Sequence, residues 1–539
     1  MIVIAILMML TILLITIVLT QQRPKDCPPG PFPWPFIGNQ YYLRRLEKKY
    51  GGPHMAFLHL SKMYNSNVIA LRLGGKYTIA VSNSKLIQQI CVNEKYDGRP
   101  WYEFMKLRNL GMKKGLTTND GPEWKELHNW SARALRQVGF AKPAMVDLLN
   151  NEMTLITKGL GNGSVQPIRP AFAPAVMNVL WFLVTGSNPS ENPERLQNFI
   201  NMMDHRSQQF DMTGGILSAI PWLHYIAPEM SGYNTIVTLN NKLKTFLMDT
   251  INEHKKRYNK GNESDFIDLF LQKMYESEGQ GERAHVFDDA NLIVTLIDIF
   301  IAGISTTTLD ILFMQITNHL DVQRKLHEEI DAVIENRTPS LEDRKKMPYT
   351  EAVLNESQRL TSVMVIFPPH RAVEDTILND YKIAKDTVVL LNVHCNNMNP
   401  DVYLDPNSFR PERYINKDGI FQTQENIIQF GKGKRRCLGE VLAKSAIFLL
   451  FVGVMQKYRL LPVPSKESVE AKFTIGLLRE WKRRCLGEVL AKSAIFLLFV
   501  GVMQKYRLLP VPSKESVEAK FTIGLLRELM PYEILIVPR

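Results

Sequence analysis

The chain predicts a mainly helical fold with a small β region, and three observations point there. Two short β-type runs, NVIALRLG and YTIAVS, lie early, between Asn67 and Ser82, and stretches of helical periodicity dominate after them. The segment from Asn291 to Phe313, NLIVTLIDIFIAGISTTTLDILF, is apolar nearly all round, which belongs to a helix inside a large core. Of 539 residues 45% are hydrophobic, enough for such a core, and no low-complexity linker divides the chain.

Taken in order, residues 1–20 are almost wholly apolar and uncharged, and Arg23 and Lys25 follow them. At about 1.5 Å per residue such a run crosses roughly 30 Å of hydrocarbon, and the basic flank places the remaining chain on the cytosolic side. A cleaved signal peptide is the alternative, but no basic residues precede the run and no small-residue cleavage site closes it. Residues 21–36 contain PPGPFPWP, a semi-rigid proline spacer. The polar run HKKRYNKGNESD, from His254 to Asp265, reads as a helix end and surface connection.

Late in the chain, FGKGKRRCLG from Phe430 to Gly439 sets one cysteine among glycines and basic residues. Gly431 and Gly433 let a tight loop pass close to a flat cofactor, while Lys434, Arg435 and Arg436 offer charge to a thiolate and to porphyrin propionates. A thiolate on haem iron favours cleavage of a bound O–O bond, so oxygen activation leads. The bland reading is a surface loop with a small buried Cys437. Within the apolar helix, Gly303 removes a side chain where dioxygen would need room, and Thr306 offers a hydroxyl to it. Alternatively, Thr306 bonds back to its own i−4 carbonyl. Glu356 and Arg359, three apart in EAVLNESQR, share one helix face and can pair.

The 47 residues that begin at Lys434 recur from Lys482, a period of 48. The second copy carries Cys485, but Leu478 and Trp481 stand where Phe430 and Gly433 stood, so Cys437 is the expected ligand. Two copies do not make a stacked repeat architecture, and one pocket has room for one helix of the LAKSAIFLLFVGVM type. The expected layout is an anchor at 1–20, a hinge at 21–36, one domain at 37–480, a duplicated segment at 482–528 and a terminal strand at 529–539.

These residues resemble the cytochrome P450 family, whose haem signature F-x-x-G-x-R-x-C-x-G is matched by Phe430, Gly433, Arg435, Cys437 and Gly439. The resemblance runs from about residue 28 to the C-terminus and is nearest to the insect microsomal type, the group containing steroid-hormone and juvenile-hormone enzymes. It implies a P450-like fold holding haem b through Cys437, and a monooxygenase that oxidises a small lipophilic substrate: a terpenoid, steroid or fatty-acid derivative. It also implies that Glu356, Arg359 and Arg413 of the PERF-like segment form a buried structural network. Arg435, His370 and Trp124 become propionate contacts, with Arg371 in reserve. Two departures stand out. His128 occupies the arginine of W-x-x-x-R, as a propionate contact or as a packed or solvent-facing side chain, and Ser305 replaces the acid that usually precedes Thr306, where a neutral hydroxyl needs water to stand in for a carboxylate in a proton relay. An oxime-forming N-hydroxylase of an amino acid and a non-catalytic membrane haem-binding protein are the alternatives. The substrate pocket is expected from residues 101–116, 202–222, 363–367, the apolar helix and FTIGLL at Phe473 or Phe521.

The formal charge of +11 and the pI near 9.2 suit anionic lipid and an acidic redox partner better than nucleic acid, because no nucleic-acid module accompanies the basic residues. By resemblance that partner is NADPH-cytochrome P450 reductase, with cytochrome b5 as an optional second donor, at the endoplasmic reticulum membrane. Five cysteines, two of them in the repeat, argue against a disulfide framework.

Overall fold

A computed structural model describes residues 26–34, 37–73, 75–160, 164–207, 223–278, 286–305, 309–362, 364–422 and 428–461, the strands 473–474, 528–529 and 533–538, and isolated positions 8, 9, 11, 12, 15, 217 and 220. The expected anchor, apart from five of those positions, and the second copy before Glu528 lie outside the described residues, as does Thr306. Among the described residues no helix is long and apolar enough to cross a membrane.

Two helices, α1 (Gln40–Tyr50) and α2 (Pro53–Met63), precede the strands β1 (Val68–Leu73) and β2 (Lys76–Val81), where the β-type runs were read. Helix α3 (Ser84–Val92) starts at Asn83, whose side chain accepts from Leu86 N at 3.1 Å and so satisfies one of the free donors of the first turn. Then follow α4 (Gly121–Gln137), α5 (Pro143–Gly159), β3 (Ser164–Pro167), α6 (Ile168–Thr185), α7 (Pro193–Ser207), α8 (Tyr233–Arg257) and α9 (Phe266–Ser277).

The apolar segment is helical on both sides of residues 306–308, which lie outside the described residues: α10 (Asp289–Ser305) precedes them and α11 (Leu309–Asn318) follows. After α12 (Leu320–Val333) and α13 (Pro348–Thr361) come β4 (His370–Arg371), β5 (Thr376–Leu378), β6 (Tyr381–Ile383) and β7 (Val388–Leu391). The chain then passes through α14 (Glu440–Lys457), β8 (Tyr458–Leu461), β9 (Phe473–Thr474), β10 (Glu528–Leu529) and β11 (Glu533–Pro538).

A four-stranded sheet runs β1-β2-β7-β4, with β2 and β7 parallel and the outer pairs antiparallel. Its edge strand β4 pairs His370 with Val389, which gives that histidine a rigid mount. The helices enclose a separate, larger core. Helix α14 is buried at every residue from Ser445 to Met455, and each large aliphatic or phenyl side chain there contributes about 1.5–3 kcal/mol. Gly453 permits its approach to α5, since a Cβ at that position would stand 2.4 Å from Met153 Cγ. This central helix belongs to the first copy of the repeat.

The run from His254 to Asp265 corrects the surface reading at both ends, because His254 and Asp265 are only 2% and 1% exposed. Asp265 caps α9 by accepting from Asp268 N, and it also meets His254 Nε2 at 3.1 Å and Arg257 Nη2 at 3.0 Å. Paired charge makes that burial tolerable.

Strand β9 pairs antiparallel with β10, Phe473 opposite Leu529 and Thr474 opposite Glu528. A strand of the first copy therefore closes on the end of the second, with residues 475–527 between them in sequence. Without one 48-residue period only residues 523–527, IGLLR, would connect the two strands, an ordinary hairpin length.

Candidate functional site

The cysteine loop is shaped by backbone contacts before any ligand is considered. Cys437 N donates to Phe430 O at 2.8 Å, and Gly431 N donates to Ile428 O at 2.8 Å. Gly433 has a φ of 69°, and a Cβ built there would lie 2.1 Å from the carbonyl oxygen of Cys91 at the end of α3. No side chain fits that contact. One period later the sequence has Trp481 in place of this glycine, a residue that such a contact does not admit. Gly439 is less constrained, as its Cβ would make an ordinary 3.9 Å contact with Cys437 Sγ.

Cys437 is exposed to a cavity of about 370 Å³. Burial by the surrounding protein holds its thiol above the usual range, so ionisation there needs a cationic centre. Apolar walls come from Ile299 and Ala302 of α10, Val176 and Leu180 of α6, and Phe367 and Phe430, with Leu116 and Met364 also in the lining. Gly303 lies in the wall too. Its missing side chain has a packing reason, because a Cβ would sit 2.1 Å from Leu180 Cδ1. Ser305 is the last residue of α10, and its side chain is outside the described set.

A polar cluster occupies part of the lining: Arg99, Trp124, His128, His370 and Arg435. Arg435 is the inward member of the three basic residues before Cys437. Lys434 pairs with exposed Glu94, away from the thiolate and propionates it was expected to serve, and Arg436 reaches out to Glu440 at 2.7 Å while its charge still favours ionisation of the Cys437 thiol. The Arg435 guanidinium stacks over the Trp124 ring at 3.4 Å and donates to the carbonyls of Asp97 and Asn119. Arg99 donates through Nη1 to the carbonyls of Pro368 and Pro369, both at 2.9 Å.

Each of these guanidiniums nevertheless keeps a buried donor without a partner among the described residues, Nη1 in Arg435 and Nε in Arg99. Burial lowers both, Arg435 to about 9 with repulsion from Arg99 added, and Arg99 to about 10 with a smaller push from Arg108. An orphaned buried donor costs about 1–3 kcal/mol, more when charged, and an anion placed here would remove that cost.

The other polar groups are partly committed. Trp124 donates Nε1–H to Leu116 O at 2.9 Å. His370 Nδ1 faces Tyr96 O at 2.8 Å, and since a carbonyl only accepts, Nδ1 carries the proton and Nε2 is left as an acceptor. Burial and the two arginines push His370 down to about 3, so it is neutral. Arg371 turns away to Asp120 and Asp386. His128 stands one turn beyond Trp124 on α4, with ring centroids 5.0 Å apart, and is lowered by burial and then by Arg435. Asp298 on α10 accepts from Leu116 N and Thr117 N at 2.8 and 2.9 Å, which ties the loop before α4 to the helix over the cavity.

Away from the cavity, Glu356 receives Arg359 at 2.7 and 2.8 Å and Arg413 at 3.0 Å. Glu356 and Arg359 are both 0% exposed.

The family profile described as Cytochrome P450 matches residues 28–480. The chain belongs to the cytochrome P450 family. This P450 is 33% identical over 465 residues to Probable cytochrome P450 305a1 of Drosophila melanogaster, covering 84% of the chain and 92% of the relative. It is equally 33% identical over 476 residues to Farnesoate epoxidase of Bombyx mori, with 86% and 95% covered. Cytochrome P450 2J1 of Oryctolagus cuniculus is 32% identical over 469 residues, covering 85% and 90%. The protein is accordingly a haem-dependent monooxygenase, of a family in which a cysteine thiolate holds the iron.

The residues present fit that group. The cavity has apolar walls for a flat macrocycle, a cysteine open to it, and orphaned donors on Arg99 and Arg435 suited to carboxylates. Haem bound there supplies oxygen activation, favoured by electron donation from the thiolate. Arg99 was missed in the sequence. It stands in YDGRPW without periodicity or motif, and its burial is set by contacts with Pro368 and Pro369 far along the chain.

Proposed function

We propose that this P450 oxidises a small lipophilic substrate, of the terpenoid, steroid or fatty-acid type. Cys437 holds the iron, Arg435 and Arg99 receive the propionates with His370, Trp124 and His128 beside them, and the Thr306 hydroxyl passes protons to the oxygen side. The observation that carries the substrate class is the wall of the cavity, where Ile299, Ala302, Val176, Leu180 and Phe367 offer apolar surface and Asp298 is already committed to two backbone amides. The relative named farnesoate epoxidase supports a terpenoid among these classes. Electrons arrive from NADPH-cytochrome P450 reductase, with cytochrome b5 as a second donor. The residue 1–20 anchor holds the enzyme on the endoplasmic reticulum with its catalytic domain in the cytosol.

The test is turnover in membranes with reductase and NADPH against terpenoids, steroids, fatty acids and aromatic amino acids, with products identified by mass. A hydroxylated or epoxidised lipophile is expected; an oxime from an amino acid would overturn the substrate class. In the same membranes Cys437→Ala removes the thiolate–carbon monoxide Soret band and Cys485→Ala leaves it, and the reverse result would reassign the ligand.

The second copy is spare in this reading. Deleting Lys434 to Trp481 restores FGKGKRRCLG and leaves the five-residue β9–β10 connection. The haem-loaded fraction is expected to rise, because less unpartnered apolar sequence remains to aggregate. Loss of haem from that deletion would assign the second copy a structural role.

A further inference from the structure

Haem brings two carboxylates toward a cluster whose fixed cationic groups are two guanidiniums. Arg435 Nη1 and Arg99 Nε are the orphaned donors, while the N–H groups of Trp124 and His370 Nδ1 already point to carbonyls. His128 lines the same cavity, and its ring stands 5.0 Å from the Trp124 ring that carries Arg435. It occupies the place where the resembled pattern has a permanently charged arginine.

The charged and titratable groups around His128 define the field it feels. Arg435 faces it from the cysteine loop. Arg99, with Asp97 and Asp120, lies behind Arg435, and His370 comes from β4; Asp298 of α10 and Cys437 also line the cavity. On its own helix Asn129 is a hydrogen-bonding neighbour. With the propionate positions empty, burial and Arg435 both oppose charge on the ring. A carboxylate beside Arg435 neutralises that repulsion and accepts from an imidazolium N–H, reversing the sign of the local field.

We propose that His128 takes up a proton when haem docks, so that haem retention by this chain depends on pH through this one side chain. The inference rests on the haem-thiolate reading of the cavity. The sign follows from linkage. His128 has a higher pKa with haem than without it, so its contribution to haem affinity is fully present below the haem-free value. It falls by up to about tenfold per pH unit between the two values and is absent above the haem-bound one. An arginine at the same place stays charged throughout and gives no such slope.

The experiment follows haem transfer from the purified full-length holoenzyme to excess apomyoglobin by absorbance, from about pH 5.5 to about pH 8.5, the span in which a histidine titrates. The wild-type rate of haem loss is expected to climb with pH, by up to about tenfold per unit. His128→Arg should be slow and flat, and His128→Gln fast and flat. A flat wild-type profile, or an undiminished slope in His128→Arg, overturns the proposal and assigns any titration elsewhere. If His128→Gln does not fold, His128→Arg alone decides. Failure of the underlying reading is distinguishable, because a wild-type protein without a thiolate–carbon monoxide Soret band would hold no haem of this kind.

Discussion

The arginine cluster around Glu356 and the one at the cavity differ in whether the protein itself supplies the counter-charge. Around Glu356 every strong donor has an acceptor: Arg359 reaches the carboxylate twice and the carbonyls of Asn397 and Pro406 besides, and Arg413 and the Arg410 amide complete the shell. Burial works against the charge on Arg359, yet Glu356 raises it above its ordinary value. Around the cavity the sign is opposite, because Arg435 and Arg99 are lowered and each holds an orphaned nitrogen. A charge buried with its partner is architecture, whereas a charge buried without one points to an anion from outside the chain.

The sharpest way to break this contrast is Glu356→Ala. It leaves two guanidiniums buried without their carboxylate and should lower stability by about 3–5 kcal/mol, read from urea unfolding, with haem lost as a consequence. Arg435→Gln should behave in the other direction. Haem-free stability is expected to hold or rise, since an unpaired buried charge is removed, while haem affinity falls by about 1.5–3 kcal/mol, roughly tenfold to a hundredfold. Haem-free protein as damaged by Arg435→Gln as by Glu356→Ala would erase the distinction.

The pairing of Asp265 with His254 and Arg257 lies between the two cases, because one cation can switch off. Burial disfavours charged His254, but the hydrogen bond and charge of Asp265 outweigh it and raise the pKa above 6.5. The pairing of His254 therefore stabilises the fold fully below the unfolded value and is lost as pH rises through the folded one. His254→Gln should cost up to about 1 kcal/mol at pH near 6 and less above pH near 8, which urea midpoints across that range would check. A difference independent of pH would mean that the imidazole is not the titrating partner.

The cysteine loop was legible because its reasons are local in sequence. Gly433 reads as a tight loop position from the sequence, and Phe430 and Gly433, against Leu478 and Trp481 one period later, set the first copy apart from the second. The early strands and the apolar α10 were legible too, since period and composition report burial directly. The Glu356–Arg359 pair could be suspected from its spacing, but that neither residue is exposed was a matter of packing.

Sequence by itself determined the helical class, the family signature and which cysteine has a permissive loop. Tertiary structure alone decided that Gly433 is held against the Cys91 carbonyl, that Gly303 makes room for Leu180, and that Asp298 ties down the loop at Leu116. It likewise decided that Arg435 turns inward while Lys434 and Arg436 turn out, and that Arg99 joins it. The physical reason is range: periodicity and turn chemistry act within a few residues, while desolvation and orphaned donors arise where distant segments meet and exclude water.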